Sequence, residues 1–153
     1  MQVNPLLPIG ATDTPATLKT APARTLTAIE RTIVSTSSKY GLDTEMALRI
    51  AKCESGLQQY DTDGKVVRGK VNPKDVGIFQ INEAYHLKQS EELGYDIYST
   101  DGNIGYALWL MKHGGSQHWR SSRSCWHEPG ETTDVAKKTD FNTQLLSFAK
   151  PLN

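Results

Sequence analysis

The sequence predicts a mainly helical α+β domain carrying one small β-hairpin. Three observations predict it. Apolar residues recur at helical spacing in separate stretches between Thr25 and Arg123. One intervening segment, 57–74, loses that period and carries turn residues instead. The length, 153 residues, suits a single domain with a buried core.

Residues 1–23 are rich in Pro, Thr and Ala, show no apolar period, and read as a flexible arm. The domain proper is expected over 24–128. Leu26, Ile29, Ile33 and Val34 fall at helical spacing between Thr25 and Tyr40, and Gly41 stops the run. Asp43 then reads as an N-cap, with Glu45 in the first turn where the helix dipole favours an acid. The helix that follows carries Met46, Ala47, Ile50 and Ala51 on one face, and Gly56 suits its C-terminal end. In 57–74, Asp61-Thr62-Asp63-Gly64 signals a turn between Gln58–Tyr60 and Lys65–Arg68, so the hairpin is expected there. The same Asp-x-Asp-Gly opens calcium loops, but the remaining ligand positions are absent and the turn is the better reading.

Helical patterns return over Glu83–Leu93 and over Asn103–His113, the second ending at Gly114-Gly115. A short helical piece is expected over Gln117–Arg123. The tail, 129–153, is polar behind the Pro129-Gly130 break. Phe141, Leu145, Leu146 and Phe148 suggest either a last short helix docked on the body or a link to a partner.

Composition excludes several classes of function. Lys+Arg and Asp+Glu both number 17, so the formal charge is zero and nothing draws the chain to nucleic acid or to an anionic membrane. The longest apolar run, 106–111, is far short of the ~20 residues of a membrane span. The first ten residues lack the basic and apolar regions of a secretory signal. No Cys or His cluster has ligand spacing, so neither a metal nor a cofactor is expected.

The chemistry-bearing residues lie in two short stretches. Glu54 sits near the C-terminal end of its amphipathic helix, where the helix dipole and apolar neighbours Ala47, Ile50 and Ala51 should both raise its pKa. A carboxylic acid kept protonated can give its proton to a glycosidic oxygen. Asp75 opens the segment Asp75-Val76-Gly77-Ile78-Phe79-Gln80-Ile81-Asn82, in a more polar setting that should keep it ionised. Two carboxylates in such different settings are what cleavage of a glycosidic bond requires. Gln80 and Asn82 alternate with Phe79 and Ile81, presenting amides that suit sugar hydroxyls or satisfy local backbone. Taken alone, Asp75 reads as a turn-capping residue, and Trp119 and Trp126 as core.

Glu54-Ser55-Gly56, then Gly77-Ile78-Phe79-Gln80-Ile81-Asn82, then Asn103-Ile104 opening a helix, resembles the lysozyme and lytic-transglycosylase superfamily. The Glu-Ser pair and the Gly-x-x-Gln segment are similar to the soluble lytic transglycosylase domain. An aspartate at position 75 is closer to the chicken-type lysozymes. Asp96-Ile97, Ala107 and Trp119 follow in the superfamily's order, and the resemblance runs from Leu42 to Trp126.

The resemblance implies a lysozyme-like fold whose hairpin flanks a glycan cleft. It implies cleavage of the β-1,4 bond between N-acetylmuramic acid and N-acetylglucosamine in peptidoglycan, by a lytic transglycosylase or a lysozyme-type muramidase. A glycan-binding or assembly component that has lost turnover is the rival reading. Glu54 would be the general acid and Asp75 the second carboxylate. Ser55 would support Glu54, while Gln80, Asn82, Tyr85 and Asn103 would serve the sugar groove. Trp119 would wall Glu54. The partner would be a glycan strand, met by a monomer outside the cytoplasm. Cys53 and Cys125 are then either two buried thiols or one disulfide tying the Glu54 helix to the segment ending in Trp126.

Overall fold

The computed structural model describes residues 24–129; the expected arm and nearly all of the expected tail, with its docking helix, lie outside the described residues. The first element is α1 (Ala28–Tyr40), and its start is fixed by reciprocal capping. The Glu30 amide donates to Thr27 Oγ1 and the Thr27 amide donates to Glu30 Oε2, at 3.2 and 2.7 Å. Arg24 closes over the same carboxylate at 2.6 Å. That guanidinium, and then the Thr27 amide, hold the Glu30 carboxyl down to about 2. Gly41 ends the helix in the left-handed conformation.

Helix α2 (Thr44–Ser55) begins on Asp43, whose Oδ1 accepts from the Met46 amide at 3.0 Å. Its buried residues are Met46, Ala47, Ile50 and Ala51, the face that spacing assigns to the core. Helix α3 (Glu83–Glu92) starts on Asn82. Helix α4 (Thr100–Gly114) starts on Ser99, a turn earlier than the sequence suggests, because Ser99 Oγ accepts from the Gly102 amide. Residues Asn103 to Leu108 are all buried, which makes α4 the central helix. It packs against α1 and against a 3₁₀ helix, Gly115–Ser122. The short α5 (Arg123–Trp126) follows and packs on α2. Together these last two occupy the place of the expected Gln117–Arg123 piece.

The β structure is a two-stranded antiparallel sheet, β1 (Asp75–Val76) with β2 (Ile81–Asn82). Asp75 faces Asn82 and Val76 faces Ile81. The hairpin expected at Asp61–Gly64 forms as a single antiparallel bridge, and the two-stranded sheet lies beyond it. The turn forms there, since Asp61 Oδ1 accepts from the Asp63 and Lys65 amides, both at 2.9 Å. The ladder beyond it stops at a single bridge, Tyr60 to Val66. The Val67 amide still donates to Gln59 O at 2.9 Å, and the outer arm then runs beside β1, where Arg68 bridges Val76. There the Gly77 amide donates to Val67 O and the Gly69 amide to Asp75 O, each at 2.9 Å. The protein is therefore mainly helical with a small antiparallel sheet. Among the described residues, no helix is long and apolar enough to cross a membrane.

Candidate active site

The tight turn between β1 and β2, residues 77–80, is held from behind by two buried amides. Gly77 has φ +72°, and a Cβ there would lie 2.4 Å from Gln59 Oε1 and 2.5 Å from Asn103 Nδ2. Only glycine supplies both the backbone and the space. Gln59 Oε1 accepts from the Ile78 amide at 3.0 Å, while its Nε2 donates to the Ile97 and Tyr98 carbonyls. Asn103 Oδ1 accepts from the Phe79 amide at 2.9 Å, and its Nδ2 donates to the Val76 and Ile97 carbonyls. This corrects the assignment of Asn103 to a sugar groove. Asn103 is 0 % exposed, and its amide is taken up by backbone on both ends.

Helix α2 brings Glu54 up to this turn. Ser55 Oγ donates to the Ile78 carbonyl at 2.8 Å and accepts from the Gln58 amide at 3.0 Å, so it clamps the helix end to the turn. Glu54 itself is half-buried. Its Oε1 accepts from Ser122 Oγ, at the end of the 3₁₀ helix. Burial pushes the Glu54 carboxyl up from the ordinary value; the Ser122 hydrogen bond opposes this, and the nearby Asp75 charge adds to it. Sequence reasoning placed the first cause at the helix end. The structure caps those carbonyls, with the Gly56 amide on Ala51 O and Lys52 O, and burial leads instead.

Behind Ser122 stand two buried indoles. Trp119 donates its indole N–H to the Phe79 carbonyl at 2.8 Å, and its ring meets Phe79 edge-on at 5.9 Å between centroids. Its carbonyl accepts from both Ser122 Oγ and Trp126 Nε1, at 3.0 and 3.1 Å. Trp119 thus reaches Glu54 through Ser122. Cys53, next to Glu54, is joined to Cys125 of α5 with the Cα atoms 6.1 Å apart. The bridge therefore fastens α5 to α2 one residue from Glu54.

Asp75 lies on β1, half-buried, where Oδ1 accepts from Asn82 Nδ2 at 2.6 Å and Asn72 Nδ2 at 3.2 Å. Asn82 Oδ1 meanwhile accepts from the Ala84 amide and starts α3. Gln80 is held at φ 48° with Nε2 on the Gly77 carbonyl at 2.8 Å. Tyr85, in the first turn of α3, is 82 % exposed and free to offer a ring face to a ligand. The sheet side is stiffened by Glu83, which takes Arg68 at 2.8 Å, Lys74 at 3.2 Å and the Tyr98 hydroxyl at 3.0 Å.

The chain matches no protein-family model, no curated protein and no solved structure. The site therefore stands on its own geometry. A half-buried carboxyl with a raised pKa and a second carboxylate acting on it by charge can move a proton and stabilise nearby positive charge. Sequence reasoning missed Gln59 and Ser122. Nothing in the pattern separates Gln59 from its exposed neighbour Gln58. Ser122 had a faint signal, standing one helical turn before Trp126 and three residues before Cys125.

Proposed function

We propose that the chain adopts a lysozyme-like fold and cleaves peptidoglycan at the β-1,4 bond between N-acetylmuramic acid and N-acetylglucosamine, as a lytic transglycosylase. The observation that carries the reading is Glu54: a half-buried carboxyl, raised by burial and by Asp75, at the edge of a rigid Gly77–Gln80 turn. Glu54 gives its proton to the leaving oxygen as positive charge develops at the sugar carbon. It then takes the proton of the muramyl 6-hydroxyl as that oxygen closes an anhydro ring. Gln80, Asn82 and exposed Tyr85 border the glycan strand, and an oxidising compartment outside the cytoplasm suits the Cys53–Cys125 bridge. The enzyme works as a monomer.

A muramidase is the second reading, favoured by the charge of Asp75 acting on Glu54. There water completes the reaction, and Asp75 stabilises or attacks the sugar carbon.

Turbidity clearing of purified cell walls tests both. Wild type is expected to clear, and Glu54→Gln to lose at least about a hundredfold in rate. Equal clearing by both would remove Glu54 as the acid; clearing by neither would favour a glycan-binding component. Mass spectrometry of the released muropeptides then decides the route: products lighter by one water mean transglycosylation, reducing ends mean hydrolysis. Asp75→Asn separates the roles of the second carboxylate. In the muramidase it stops turnover. In the transglycosylase it keeps turnover, and the alkaline limb of the pH profile moves down because Asp75 no longer holds the Glu54 pKa up.

A further inference from the structure

We infer that Ser122 is a positioning residue whose hydroxyl swings between Glu54 and the Trp119 carbonyl, holding the Glu54 carboxyl in one orientation in both of its protonation states. The inference rests on Glu54 being the acid and base of the proposed reaction.

The argument is a count of protons and lone pairs. A serine hydroxyl has one proton to give and can accept two hydrogen bonds. Ser122 Oγ has three partners: Glu54 Oε1, the Trp119 carbonyl at 3.0 Å and Trp126 Nε1 at 3.2 Å. The indole has a single proton and can only donate; it is shared between Ser122 Oγ and the Trp119 carbonyl, so Trp126 never takes up the serine proton. That leaves one proton facing two acceptors. When Glu54 is ionised, Ser122 donates to the carboxylate, and the Trp119 carbonyl keeps its share of the Trp126 N–H at 3.1 Å. When Glu54 is protonated, its O–H donates to the second lone pair of Ser122, and the serine proton turns onto the Trp119 carbonyl. Every group is satisfied in both states. No proton leaves Ser122, and the only proton exchanged with substrate is that of Glu54.

The surroundings keep this arrangement fixed. Trp119 and Trp126 are 3 % and 2 % exposed, and the Cys53–Cys125 bridge ties α5 to the residue preceding Glu54. Asp75, on β1, is the charged side chain that acts on Glu54. Arg49 of α2 donates to the Trp126 carbonyl at 2.9 Å and pairs with Glu128, and Arg123 of α5 approaches His127. An acid that must also act as a base benefits from such a hinge, because neither half of the cycle frees the carboxyl to rotate.

Carbon-13 NMR of the uniformly labelled protein tests this without any substrate. Across the titration of the Glu54 carboxyl, the Trp119 carbonyl carbon is expected to shift with the same midpoint, since it gains a hydrogen bond when Glu54 is protonated. In Ser122→Ala that coupled shift disappears, and Glu54 titrates at higher pH because the hydroxyl that favours its ionised form is gone. Ser122→Thr, which keeps the hydroxyl, restores both. Cell-wall clearing is expected to fall about tenfold in Ser122→Ala and to recover in Ser122→Thr. A Trp119 carbonyl signal that stays flat through the Glu54 titration in wild type overturns the inference, as does an unchanged Glu54 midpoint in Ser122→Ala. Failure of wild type to clear walls while the coupled shift is present overturns the proposed reaction and leaves the hinge standing.

Discussion

Asn103 shows how much one buried amide can hold. Its Nδ2 reaches carbonyls in β1 and in the loop before α4, and its Oδ1 takes the Phe79 amide in the turn. Replacing it with alanine leaves the Phe79 amide and the Val76 carbonyl without their side-chain partner, in a place water does not reach. Asn103→Ala is expected to cost about 3 kcal/mol, since each buried polar group left unpaired costs roughly 1–3 kcal/mol. The measurement is urea unfolding: a lower midpoint at unchanged slope supports the bracing role, and an unchanged midpoint rejects it. The amide type of Asn103 was legible in the sequence, but its service was not. Donor and acceptor capacity are the same whether an amide faces a ligand or a carbonyl, and only the approach of β1 and α4 decides which. Glu54 was easier to single out, because its helix, its Ser55-Gly56 and the later turn are all local signals.

At the level of elements, the helix ends are where sequence and structure agree most closely. Asp43, Gly41 and Gly56 do what their residue types favour, because capping involves neighbours a few positions away. The hairpin differed for the opposite reason. The turn at Asp61–Gly64 is local and formed, and the Val67 amide still pairs with Gln59 across it, whereas the partners of Arg68 and Gly69 lie on β1 and are set by tertiary contact. The start of α1 carries a pH signature of its own. Arg24 and the Thr27 amide hold the Glu30 carboxyl down to about 2, so its folded-state pKa lies below the unfolded one. Its stabilising contribution is complete above the ordinary carboxylate range and fades as pH falls towards about 2. Between those limits, the melting temperature of wild type should converge on that of Glu30→Gln. A difference between the two that is constant down to the lower limit would show that the ionised carboxylate contributes nothing.

For the whole molecule, the two cysteines matter most. The Cys53–Cys125 bridge spans a sequence separation of 72 residues. Closing a loop of that size restricts the unfolded chain by about 4 kcal/mol in the loop-entropy account. The double variant Cys53→Ser/Cys125→Ser is therefore expected to unfold at markedly lower urea concentration than wild type, and a reductant should bring wild type down to it. Equal midpoints with and without reductant would show that the bridge adds no stability. The sequence permitted this pairing but could not choose it over two buried thiols, since the choice depends on α5 folding back onto α2. Backbone and bridge together make a covalent ring, and Glu54, Asp75, Gln80, Asn103, Trp119 and Ser122 all belong to it. Among the described elements, helix α1 and most of α2 lie outside that ring. A single peptide cut at the exposed Asp61–Gly64 corner would linearise the ring yet shed no fragment, so the two carboxylates would stay on one connected molecule.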